Sequence, residues 1–128
     1  MKTADEIEAM LLRLDLPYEE KRPGLWVVRG APGIDNLVVT LAGPVLVFRL
    51  KIMDVPKVQR EQLFRALLEM NAADLVHAAY GLENDTVVLS GALAAENLDF
   101  NELQATVDDI TLAFTKHYPR LQKFHAAA

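Results

Sequence analysis

Three residue types that together can cleave an ester or amide occur in order within "HAAYGLENDTVVLSGALAAENLD": His77, Asp85 and Ser90, the last being the only serine of the chain. A hydrolase triad needs the imidazole within hydrogen-bond reach of the nucleophile and a carboxylate that orients the imidazole. Placing Asn84-Asp85 at the centre of a two-residue turn pairs Glu83 with Thr86, Leu82 with Val87, Tyr80 with Leu89 and His77 with Ala92. In that register His77 and Ser90 are diagonal neighbours on one sheet face. Asp85 is at the tip, roughly 26 Å from His77 at ~3.3 Å per extended residue, and cannot orient it. Ser90 also sits mid-strand in "LSG" and lacks the strained elbow of a nucleophile motif. No catalytic residue is predicted: Ser90 reads as a small residue on a sheet and His77 as a strand histidine.

The remaining chemistry is sparser. There is no cysteine, which removes disulfides, thiolate metal sites and thiol nucleophiles. His117 and His125 have no paired carboxylates near them in sequence, so no metal site is expected. Glycines fall in turns without a phosphate-binding pattern, and no cofactor is predicted. Asp108-Asp109 read as the solvated face of a helix, and Glu19-Glu20-Lys21-Arg22 as a charged loop. The net charge is -5 with 13 scattered Lys and Arg, a poor match to nucleic acid. The start "MKTADEIEAMLLRLDLP" is acidic where a signal peptide is basic, and no apolar run approaches the ~18 residues that span a bilayer. A soluble cytoplasmic protein without a membrane partner is expected.

Positioning these residues requires elements, and 128 residues with 52% hydrophobic content suit a single domain over 1–128. Ile7, Met10, Leu11 and Leu14 recur at helical spacing, predicting a helix over about 4–15 with Thr3 or Asp5 as cap. "GLWVVRG", "NLVVTLAG" and "PVLVFRLKIM" predict three meandering strands. Asp54 and Pro56 suit the start of a second helix, with Val58, Leu63, Leu67, Leu68 and Met70 as its stripe and an end near Asn71. "DLVHAAYGLE" and "DTVVLSGAL" predict two more strands. Asp99 and Glu102 then form a capping box flanked by a Leu98–Leu103 staple, opening a helix that carries Phe100, Leu103, Val107, Ile110, Phe114 and Leu121. The predicted order is α-β-β-β-α-β-β-α, an α+β fold with helices packed on a twisted antiparallel sheet.

Strand alternation divides the sheet residues between two faces. One collects Leu37, Val39, Leu41, Leu46, Phe48, Leu50, Ile52, Tyr80, Leu82, Val87 and Leu89, enough to pack under three helices. The other still carries Val38, Thr40, Ala42, Val45, Val47, Met53, Val88 and Ala92, apolar and small. If all three helices lie on one side, this second face is a contiguous apolar surface, the mark of self-association or partner binding. Candidate contact residues are Trp26, Val38, Val45, Val47 and Met53, with the helix over 57–71 as the other dimer surface. Trp26 also reads as a core anchor.

The order helix, "LWVVRG", "NLVVTLAG", "PVLVFRLKIM", "ALLEMNAAD", "LVHAAYGLENDTVVLSGAL" and "ENLDFNEL" resembles the YbjN family. It is also similar to class I type III secretion chaperones of the CesT and Tir-chaperone type. The resemblance covers nearly the whole chain through pattern, with no single diagnostic motif. It implies a non-enzymatic homodimer that binds a protein or peptide client in extended form, often by strand addition. A different class of reading is a small-ligand-binding domain or minor hydrolase with a pocket between helices and sheet near His77 and Tyr80. A third is a structural subunit with an obligate, different partner.

Overall fold

The computed structural model describes residues 3–30 and 34–126. Helix α1 (Ala4–Arg13) begins with a capping box, Glu6 N–H donating to Thr3 Oγ1 and Thr3 N–H to the Glu6 carboxylate. Strands β1 (Tyr18–Arg22), β2 (Leu25–Val28), β3 (Leu37–Ala42) and β4 (Val45–Asp54) follow, then α2 (Arg60–Asp74), β5 (Ala79–Glu83), β6 (Thr86–Ala94) and α3 (Phe100–Ala126). The six strands form one antiparallel sheet in the order β1-β2-β3-β4-β6-β5. The α+β class and the predicted order hold, with one strand added in front.

The added strand is β1, whose "YEEKR" reads as a charged loop by composition. An edge strand has one solvated side, so charges there cost little and discourage unwanted pairing. The hairpin register is as predicted from Glu83–Thr86 to Tyr80–Leu89, with Asn84 at φ 56 in the turn. The α3 box also forms as predicted, Glu102 N–H donating to Asp99 Oδ1 at 2.8 Å over buried Leu98 and Leu103.

Helix α2 departs from expectation at both ends. Asp54 closes β4, Val58 is exposed, and the helix begins at Arg60 behind Gln59 in left-handed conformation (φ 59). It runs to Asp74, so residues 75–78 form the connection and β5 is shorter than predicted.

All three helices lie on one face of the sheet. Glu8 of α1 accepts from Trp26 Nε1 at 3.3 Å and from the Tyr18 hydroxyl at 3.5 Å. The row Trp26, Val39, Phe48 and Gly91 crosses four strands on that face. At Gly91 a Cβ would stand 3.4 Å from the Thr106 methyl of α3 and 2.7 Å from the His77 carbonyl oxygen. Only glycine admits that backbone approach. Ile7, Leu11, Leu63, Met70, Leu103, Val107 and Ile110 fill one core with these strand residues. Where α2, β5 and α3 meet, Asn71 receives the Tyr80 N–H at 2.7 Å and donates to its carbonyl at 3.2 Å.

Candidate protein-binding face

His77, Asp85 and Ser90 do not come together as a triad. His77 lies in the bend before β5, its amide donating to Asp109 Oδ2 at 2.8 Å, and is not a strand residue. Ser90 pairs with Ala79 and Arg49 in mid-sheet, while Asp85 sits at the hairpin tip facing Arg60 at 3.4 Å. Asp109, read from sequence as solvated, holds the connection by also accepting from Val76 N–H at 3.3 Å.

A different histidine is structural. His117 of α3 is 4% exposed, its Nδ1 2.8 Å from the Tyr80 hydroxyl and its Nε2 2.8 Å from Asp74 Oδ2. Lys116 reaches the other carboxylate oxygen at 2.9 Å. The hydrogen bond from Lys116, then that from His117, holds the Asp74 carboxyl below its usual range against partial burial. Burial, then the Asp74 charge, pushes the Tyr80 hydroxyl far above the ordinary tyrosine value. A phenol so hard to ionise keeps its hydrogen and is no nucleophile. The sequence signal was present: His117 continues the α3 apolar stripe between Phe114 and Leu121.

The sheet face away from the helices carries Leu25 and Val27 of β2, Val38 and Thr40 of β3, Val45 and Val47 of β4, and Ser90 and Ala92 of β6. Among the described residues no helix packs over it. Leu25, Thr40, Val47 and Ala92 form one row across four strands, and Val27, Val38, Arg49 and Ser90 the next. The side chains are short and mostly β-branched, so the surface is flat and apolar, with charge toward the β5 end. There Arg49 and Glu83 pair at 3.1 Å across β6, straddling Val88, which is 8% exposed beneath them.

The candidate residues therefore separate. Val38, Val45 and Val47 lie half-buried on the open face, as alternation predicts. Trp26 is 0% exposed under α1, so it is a core anchor and offers no contact surface. Met53 is 6% exposed and lines the helix side. A bulge between Lys51 and Met53 leaves Ile52 without a cross-strand partner and reverses the alternation that predicted the opposite orientation.

The two sheet edges differ as well. Tyr80's outward main-chain groups are sealed by Asn71, so the middle of β5 is closed. On β1, Arg29 N–H donates to Pro17 O at 2.9 Å, and alternation turns the main chain of Tyr18 and Glu20 outward. On α2, Leu68 is 68% exposed beside half-buried Phe64, in a shallow depression also lined by Glu61, Arg65, Glu69 and Ala72. No group of residues suited to hold a metal ion occurs among the described residues, nor any helix long and apolar enough to cross a membrane.

A search of curated proteins finds no match. Among solved structures, the fold is similar to YbjN from E. coli, with TM-score 0.70 and 13% identity over 94% of each chain. It is also similar to a chain of the heterodimeric ExoU-SpcU complex from the type III secretion system of Pseudomonas aeruginosa. That match has TM-score 0.71 and 17% identity over 88% of this chain and 95% of the other. At these identities the two structures establish the shared fold. The family is given by sequence: the CesT_Tir_1 model matches residues 1–127, and the chain belongs to that family.

Proposed function

We propose that this protein is a non-enzymatic, chaperone-like binding module of the cytoplasm that works as a homodimer and holds an extended segment of a client protein. The observation that carries this reading is the uncovered apolar sheet face centred on Val38, Val45 and Val47. A contiguous apolar area of this kind, bordered by charge at its β5 end, marks a surface that another chain covers. Membership of the CesT_Tir_1 family and the similarity to a chain of a heterodimeric secretion complex support a protein as occupant.

An extended segment suits a flat surface of short side chains better than a folded domain does. It can also add main-chain hydrogen bonds at the β1 edge, where Tyr18 and Glu20 face outward. The charges of Glu19, Glu20, Lys21 and Arg22 beside that edge restrict which segments pair there. For the second copy, the outer face of α2 offers Phe64 and Leu68 flanked by Glu61, Arg65 and Glu69. That mixture of signs is self-complementary when two such helices meet about a two-fold axis.

Sedimentation of wild type beside Leu68→Asp and Val47→Asp tests the division of labour. We expect a wild-type dimer, a Leu68→Asp monomer, and a Val47→Asp dimer of unchanged circular dichroism. A monomeric wild type at high concentration overturns the homodimer; a monomeric but folded Val47→Asp assigns the sheet face to self-association and overturns its use for a client.

A further inference from the structure

A cavity of about 140 Å³, open on one side, lies between the β4 bulge and the C-terminal half of α3. Ile52 and Met53 form one wall because the bulge turns both toward the helix. Phe114, Tyr118 and Leu121 form the other, and Gln122 and His125 stand at the rim. None of the open-face residues Val38, Val45 and Val47 lines it, nor do His77 and Tyr80, near which the rival reading of the sequence places a pocket.

We propose that this cavity is a binding site for a single phenolic ring. Size comes first, since a dry apolar cavity of about 150 Å³ is known to admit benzene. A six-membered ring fits, whereas a nucleotide or fused-ring cofactor does not. The walls are aliphatic, aromatic and thioether, and the Met53 sulfur offers the polarizable contact that ring edges favour. Phe114 and Tyr118, with ring centroids 5.7 Å apart and tilted by 41°, extend an aromatic wall to the opening.

Polarity decides the substituent. Tyr118 is 50% exposed, and among the described residues its hydroxyl, the Gln122 amide and the His125 imidazole form no side-chain hydrogen bond. A phenol, a carboxamide and a neutral imidazole each offer both a donor and an acceptor, matching a hydroxyl, which does both. Among the described residues no lysine, arginine or carboxylate lines the cavity, so among them neither an anionic nor a cationic substituent finds a counter-charge. A lone ring has few atoms, and its affinity is expected at about the millimolar level. A ring carried on a chain bound elsewhere gains from effective concentration.

The test is a titration of the full chain, carbon-13 labelled at methionine methyls, with p-cresol, with N-acetyl-tyrosinamide and with cyclohexanol. The expected result is a saturable shift of the Met53 methyl at millimolar p-cresol, at least several-fold weaker with cyclohexanol. Gln122→Trp, an exposed position whose larger side chain covers the opening, should abolish it without loss of stability. N-acetyl-tyrosinamide distinguishes the sources: its binding admits a chain-borne tyrosine, and its exclusion alongside bound p-cresol leaves a free phenol as the ligand. No saturable Met53 shift, equal binding of cyclohexanol, or an unchanged response in Gln122→Trp overturns the proposal.

Discussion

Replacing Tyr80 by Phe removes one oxygen atom and keeps the ring, so it probes the buried polar junction with little disturbance of packing. Tyr80 is 6% exposed and His117 4%, and their polar atoms are 2.8 Å apart. In the tautomer that places the hydrogen on Nε2 toward the Asp74 carboxylate, Nδ1 accepts from the Tyr80 hydroxyl. The substitution deletes that bond and strands Nδ1 away from water. A buried polar atom left unpaired costs about 1–3 kcal/mol, a figure that includes the lost bond. For a chain of this size the melting temperature should fall by roughly 3–5 °C per kcal/mol. Urea unfolding should show a lower midpoint with an unchanged slope. The decisive comparison is the same substitution made in a His117→Phe background, where no acceptor remains to be stranded. There the cost should shrink to a few tenths of a kcal/mol. Equal costs in both backgrounds, or no cost in either, would refute the network reasoning.

Acid provides a second prediction through Asp74. Its folded pKa is depressed, so the stability it contributes is present above the unfolded carboxylate value and is lost as pH falls through the folded one. Lys116→Ala removes the largest cause, and the acid-unfolding midpoint measured by circular dichroism should move to higher pH. In alkali, Tyr80 should fail to ionise before unfolding, so ultraviolet titration should show fewer than the three tyrosines titrating reversibly. Gly91→Ala forces a Cβ to 2.7 Å from the His77 carbonyl, a backbone atom that cannot rotate away. Calorimetry should show a loss of about 1–3 kcal/mol. Asn71→Ala orphans the Tyr80 N–H, and its amide exchange, slow in wild type, should accelerate with a loss of about 1–3 kcal/mol.

The helices and the central strands were legible because their apolar residues repeat at the period of the element that buries them. The α3 start was readable to the residue, since a capping box and staple are local and have fixed offsets. What escaped was non-local or broke a period. β1 carries charge on both faces because an edge strand is half solvated, so its alternation is invisible. Strict alternation puts Met53 on the open face, and the bulge at Ile52 reverses that parity. His117 lies in register with the α3 stripe, but its structural role is not legible from that position. Its partners are 37 and 43 residues away, and only the fold brings them within reach. The open face was readable for Val38, Val45 and Val47; which side the helices take was not, because that is a property of the assembled layers.

The central claim is that the uncovered sheet face holds another protein. Its most direct test is native mass spectrometry of the protein purified from its host, with wild type compared to Val47→Asp. The account predicts a stoichiometric second polypeptide bound to wild type and absent from a folded, dimeric Val47→Asp. A wild type that purifies without a partner, or a Val47→Asp that keeps its partner at wild-type stoichiometry, would contradict it.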